Sequence, residues 1–223
     1  MKKIRRGQKG FTLLEIIVVL AVIGALAAML APVVFRYIDD AKRAQAQSDT
    51  NTIASAIQQM YKDTGRWAFY KDGTGKLPKQ ATDTTLLTSS IGCDGSAVTP
   101  TCDTFAPVDS TAGTTWGLLL GKPDSLADQL ILNTPFAAGG TPYATTGGRP
   151  WKGPYLDRIP ALDPWGRSYF VNIGNADPTT EGATQKWVIV ISAGPNGNLE
   201  TLADVAGTTN PAVGGDDVIA RVK

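Results

Sequence analysis

Histidine is missing from all 223 residues, and that narrows the chemistry open to this chain. Without an imidazole there is no Ser-His-Asp triad, no histidine-ligated zinc and no general-base histidine. Ser192 stands in no Gly-x-Ser-x-Gly elbow. The carboxylates are scattered, and nothing singles out a pair for two-carboxylate hydrolysis. The residue types are better suited to holding a hard cation. Ser192-Ala193-Gly194-Pro195-Asn196-Gly197-Asn198 is a glycine-rich turn with two asparagines, and Gly214-Gly215-Asp216-Asp217-Val218 follows it. Calcium takes six to eight oxygens from carboxylates, amides, backbone carbonyls and water. Two adjacent aspartates brought beside such a turn can supply them. The plainer alternative is a solvated turn with an ordinary aspartate pair.

Two further features carry chemistry. Cys93 and Cys102 flank a short polar loop. Their spacing suits neither a redox CxxC nor a zinc knuckle. A local disulfide is expected if the segment faces an oxidising compartment, and it would add roughly 2–3 kcal/mol. Two free thiols or half a metal site are the alternatives. Glu15 is the other feature, a carboxylate at the edge of an apolar run, where charge is expensive unless paired.

The run itself, Ile16 to Phe35, carries no charge and is long enough to cross a ~30 Å hydrocarbon core once as a helix. Lys2, Lys3, Arg5, Arg6 and Lys9 precede it, with no acidic residue among the first ten. By the positive-inside rule residues 1–10 stay cytoplasmic and the C-terminal part is translocated. An ordinary secretory signal is shorter and is cut after its apolar region. Here the adjoining small residue, Gly10, comes before the run, so a cut there leaves the membrane helix in place. The leader holds five of the 21 basic residues and none of the 20 acidic ones, leaving 16 against 20, a charge of −4. That balance argues against nucleic acid as a partner.

Beyond Phe35 the chain stays free of proline and glycine to Lys62, and Ile53, Ile57, Met60 and Tyr61 fall on one stripe. One helix from Phe11 to Asp63 would run ~80 Å, with Asp63-Thr64-Gly65 as its stop. Residues 68 to about 150 are rich in turn formers and nearly aperiodic, and read as variable surface loops. Within them Thr114–Leu120 and Ser125–Leu132 could each be a short helix or strand, and Asp124-Ser125 could cap the second. Ser168–Ile173, Lys186–Ile191 and Val218–Val222 read as strands. Asp163-Pro164-Trp165-Gly166 reads as a proline turn feeding the first of them.

Gly10-Phe11-Thr12-Leu13-Leu14-Glu15 and the apolar run after it resemble the type III signal of type IV pilins and type II secretion pseudopilins. The resemblance implies a cut between Gly10 and Phe11 by a membrane prepilin peptidase and N-methylation of Phe11. The cost of an unpaired carboxylate there has two readings: Glu15 pairs with the new α-amino group of Phe11, on its own or a neighbouring subunit, and sets filament register, or it sits at the lipid headgroups near the favourable N-terminal end of the helix dipole. Gly24 and Pro32 fall where many members carry a glycine and a proline. They are weak helix formers and bracket a segment able to kink or partly unwind. Tyr61-Lys62-Asp63-Thr64-Gly65-Arg66-Trp67 resembles in part the point where the pseudopilin helix ends, with Trp67-Ala68 in place of Tyr-Pro.

Asp163-Pro164-Trp165-Gly166-Arg167-Ser168-Tyr169 is similar to the Asp-Pro-Trp-Gly-x-x-Tyr signature of G-type major pseudopilins. Those proteins also carry a Ser-x-Gly-x-Asp-Gly turn and a later Asp-Asp-Ile that bind one calcium. Carried over, the ligands are Ala193 through its carbonyl, Asn196, Asn198, Asp216 and Asp217. Asn196 replaces an aspartate, and the longer segment before Asp216 adds Glu200 and Asp204 as possible substitutes.

These readings imply an α+β, pilin-like fold. A long N-terminal helix, half membrane and half amphipathic, packs on a small C-terminal antiparallel sheet, with a long variable loop region. The divisions are a cleaved leader (1–10), a membrane and filament-core helix (11–35), its periplasmic half (36–65), the loop region with a local disulfide (66–152) and the β-region with the calcium loop (153–223). The implied function is a structural subunit of a helical filament, the major pseudopilin of type II secretion. The alternatives are a type IV pilin making surface fibres and, more distantly, a membrane-anchored periplasmic enzyme or binding module. The implied partners are further copies of itself, the prepilin peptidase, minor pseudopilins or pilins and an inner-membrane assembly platform. The location is the bacterial inner membrane, then a periplasmic or extracellular filament.

Overall fold

The first helix starts at a reciprocal pair of bonds. Glu15 N donates to Thr12 Oγ1 at 3.3 Å, and Thr12 N donates to Glu15 Oε2 at 3.5 Å. This capping box satisfies two of the amides that a helix start leaves unpaired. From there α1 runs over Leu13–Thr64, 52 residues, unbroken through Gly24 and Pro32. It stops where the sequence says it should. Gly65 takes a left-handed φ of 67°, and its N–H donates to Tyr61 O at 2.7 Å. Thr64 Oγ1 donates to Met60 O at 2.8 Å and accepts from Arg66 N at 3.1 Å.

The structure, a computed structural model, describes residues 11–68, 86–88, 124–135, 142–160, 162–173, 187–201 and 213–222. The chain divides into two units, Met1–Ala41 and Lys42–Lys223. In the first, every described residue is exposed, including the apolar side chains from Phe11 to Ile38. This stretch belongs to a helix long and apolar enough to cross a membrane.

The second unit contains a five-stranded sheet in the order β2-β1-β3-β4-β5. Its strands are β1 (Leu86–Thr88), β2 (Asp124–Ser125), β3 (Phe170–Asn172), β4 (Ile189–Ser192) and β5 (Val218–Arg221). β3, β4 and β5 pair antiparallel, with Phe170 opposite Ile191 and Ile191 opposite Ile219. They lie where the aromatic and β-branched runs place them. β1 pairs antiparallel with β3, whereas β2 runs parallel to β1. The sheet is therefore mixed at one edge, and two of its strands come from the stretch read as loops. Asp124 and Ser125 form β2. Ser125 also acts as a local cap, its Oγ accepting from Ala127 N at 3.1 Å before a π-helical turn, Asp128–Leu132. Thr114–Leu120 lies outside the described residues.

Side chains alternate across the sheet with the period of two that pleating imposes. Tyr169, Val171, Ile173, Val188 and Val190 meet Ile53, Ile57 and Met60 of α1, and Leu126 and Leu130 complete that core. Each such side chain contributes roughly 1.5–3 kcal/mol by leaving water. Phe170, Ile189, Ile191, Ala193 and Leu199 form a second cluster. β4 is thus buried on both faces, which is why it reads as an unbroken apolar run. Tyr61 departs from the expected stripe. It is 40% exposed and stacks on Trp67, with ring centroids 4.1 Å apart.

Candidate functional site

β4 ends at Ser192 and delivers the chain into the glycine turn, Ala193–Asn198. Gly194 and Gly197 both take positive φ, 62° and 78°. A Cβ on Gly194 would lie 2.3 Å from Asp216 O, so that position tolerates no side chain. Gly197 N closes the turn on Ala193 O at 3.2 Å, and Asn198 N donates to Asn196 Oδ1 at 2.7 Å. The buried Ala193 and Leu199 pin both ends of the turn into the second core cluster.

The Asp163 segment braces this turn. Asp163 Oδ1 accepts from Trp165 N and Arg167 N at 3.0 and 2.8 Å, which makes the expected proline turn. Its Oδ2 accepts from the fully buried Ser192 hydroxyl at 2.6 Å. Ser192 is therefore a packed structural donor, closed to any substrate. The bond that gives Asp163 its positioning role has no sequence signal, because Asp163 and Ser192 sit 29 residues apart.

The adjacent aspartates bond to the same turn and to the residues just after it. Asn196 N donates to Asp216 Oδ2 at 3.0 Å. Asp217 Oδ2 accepts from Glu200 N and Thr201 N at 2.9 and 2.6 Å. Glu200 Oε2 in turn accepts from Asp216 N at 3.3 Å. Burial pushes the Asp217 carboxyl up from its usual range. The bonds from Thr201 and Glu200 oppose that rise, and the Glu200 charge adds to it.

Each aspartate keeps one buried oxygen without a hydrogen-bond partner, Asp216 Oδ1 and Asp217 Oδ1. Buried carboxylate oxygens are costly when unpaired, and a cation is one way to satisfy them. The donor set fits calcium on that ground. Among the described residues no group of three or more acidic or cysteine side chains is placed to hold a metal. The remaining oxygens would come from Ala193 O and the asparagine amides, the ligand types calcium accepts and zinc does not favour. Ala193, Asn196, Asn198, Asp216 and Asp217 are thus brought to one turn, with Glu200 beside them. Asp204 lies outside the described residues.

The N-terminal residues are placed separately. Phe11 is exposed at 81%, and Glu15 is bonded to Thr12. The Thr-x-x-Glu spacing announces this capping box. Gly24 and Pro32 sit inside continuous helix, with nothing within 4 Å of a Cβ added at Gly24. Gly10, Cys93 and Cys102 lie outside the described residues.

The comparisons with known proteins point to one class. Residues 5–31 match the model of the prokaryotic N-terminal methylation motif. The chain is similar to type II secretion system core protein G of Pseudomonas aeruginosa, 38% identical over 78 residues, 35% of this chain and 55% of that protein. Core protein G of Dickeya chrysanthemi is 35% identical over 77 residues, 34% of this chain and 50% of its own. The toxin coregulated pilin of Vibrio cholerae is 34% identical over 70 residues, 31% of each chain. The chain spans about half the length of the core protein G relatives it matches. No solved structure matches.

Proposed function

We propose that this chain is a structural subunit of a helical filament, the major pseudopilin of a type II protein secretion system, and not an enzyme. One observation carries the reading. The apolar half of α1 is exposed along its whole length and begins at a carboxylate, and a matched methylation motif covers both that carboxylate and most of the run. Such a surface is stable only in lipid or against other apolar helices. A membrane-spanning helix that exchanges lipid for the same helices of neighbouring copies satisfies both states. Repeating that head-to-tail contact without closure gives a filament.

In this reading the prepilin peptidase cuts between Gly10 and Phe11, and Phe11 is N-methylated. Its α-amino group then pairs with Glu15. The protein starts in the inner membrane with its N-terminus cytoplasmic and its second unit periplasmic, and it assembles with minor pseudopilins on an inner-membrane platform. Cys93 and Cys102 form a local disulfide there. Calcium is held by Asp216, Asp217, Ala193 O, Asn196 and Asn198, and its chemistry is structural: two positive charges among carboxylates that are otherwise partly unpaired.

Similarity to the toxin coregulated pilin favours a second reading, a surface fibre of type IV pilin kind. A deletion strain separates the two. Proteins stranded in its periplasm, with no native fibres on the parent, support the secretion subunit. Sheared surface fibres lost on deletion, with unchanged secretion, support the pilin and sink the first reading.

A further inference from the structure

We infer that Arg167 is the resident counter-cation of the glycine turn: it holds the turn closed before metal arrives and sets how tightly calcium is then bound. This rests on the calcium reading above. Arg167 Nη1 donates to Gly194 O at 3.1 Å. A Cβ on Gly197 would come within 2.2, 2.3 and 2.4 Å of Arg167 Nη2, Cζ and Nε, so the guanidinium lies directly against that glycine. It therefore bridges both glycines of the turn.

The arginine is itself held in place. Its N–H donates to Asp163 Oδ1 at 2.8 Å, and its carbonyl accepts from Asp163 N at 2.6 Å. The same aspartate holds Ser192, whose Oγ accepts from Gly194 N at 3.3 Å. Asp163 thus fixes the turn and its clamp together.

Charge gives the clamp its second role. Glu200, Asp216, Asp217 and the supporting Asp163 bring four negative charges to the turn, and Arg167 brings one positive. The formal sum of −3 leaves the turn attractive to a divalent cation even with the arginine in place. Asn196 contributes no charge. A calcium ion among these ligands is repelled by the positively charged guanidinium. In a water-like dielectric of about 80, repulsion of a doubly charged ion by a single charge about 6 Å away weakens binding by about tenfold.

The test is calorimetric titration of calcium into the full chain in detergent micelles, for the parent, Arg167→Gln, Arg167→Lys and Asp217→Asn, with melts in chelator. Arg167→Gln is expected to bind calcium about tenfold more tightly at low salt, with the gain shrinking as salt rises. It should also melt lower than the parent in chelator. Arg167→Lys, which keeps the charge and loses the fork, should keep parental affinity and melt lower in chelator. Calcium binding by the parent with equal or weaker binding by Arg167→Gln overturns the role of Arg167 and leaves the calcium reading standing. If Arg167→Gln does not fold, Arg167→Lys decides, and a changed affinity there overturns the inference. Absence of calcium binding by both the parent and Arg167→Gln overturns the calcium reading and this inference with it. Loss of binding in Asp217→Asn alone places the metal at this turn.

Discussion

Glu15 has two separable duties, and two substitutions tell them apart. Its carboxylate closes the capping box with Thr12, through bonds of 3.3 and 3.5 Å that lie at the long end of the range. Caps of this kind contribute roughly 0.5–2 kcal/mol, and bonds this long belong at the lower bound, about a twofold effect on helix population. Its charge, if paired with the Phe11 α-amino group in the filament, avoids the cost of an unpaired carboxylate in hydrocarbon. That cost is about 2.5–3.5 kcal/mol, or roughly a hundredfold in a subunit's assembly equilibrium. Glu15→Gln keeps the oxygen that completes the box, since glutamine serves at this position, and removes the charge. Glu15→Ala removes both. Immunoblots should show both variants processed at Gly10, with filament recovered by shearing or cross-linking down more than tenfold in each. Glutamine should rescue at most the twofold share of the cap. Parental filament yield from Glu15→Gln would refute the charge argument and leave Glu15 as a helix cap only.

Three further outcomes follow from the second unit and the helix. Saturating calcium at about a hundred times Kd is expected to add about 2.7 kcal/mol. That is roughly 5–10 °C in Tm for a chain of this size; Asp217→Asn should abolish the shift, and identical melts in calcium and chelator would remove the site. The Tyr169 hydroxyl donates to Asp49 Oδ2 at 2.9 Å, and burial, then that bond and the Asp49 charge, push its pKa up. A raised pKa means the stabilisation is complete below the ordinary tyrosine range near ~10 and is lost as pH rises above it. Denaturant melts should therefore fall in midpoint above pH ~10, and Tyr169→Phe, weaker at neutral pH by about 1.5–3 kcal/mol for a bond to a charged acceptor, should flatten that fall. Pro32→Ala should stiffen α1 by up to about 3 kcal/mol of helix propensity. If the segment must unwind during assembly, filament yield drops while membrane insertion is unchanged, and normal yield would show that no unwinding is needed.

Local physics made several features readable in advance. The uncharged run Ile16–Phe35, the stop at Gly65 and the stripe of Ile53, Ile57 and Met60 depend on spacing along one helix, so the sequence alone displays them. β3 to β5 were legible for a similar reason: β-branched and aromatic residues concentrate where a sheet is buried. β1 and β2 were not legible. They are three and two residues long, and strands that short acquire their identity from a partner rather than from a pattern. The same holds at the turn. Residue types alone nominated Asp216, Asp217, Asn196 and Asn198, because oxygen ligands are a matter of chemistry. That Asp163 holds Ser192 and Arg167 bridges Gly194 and Gly197 was decided only by the tertiary structure. Those contacts join positions far apart in the chain, and no local propensity encodes a distance between residues that only folding brings together.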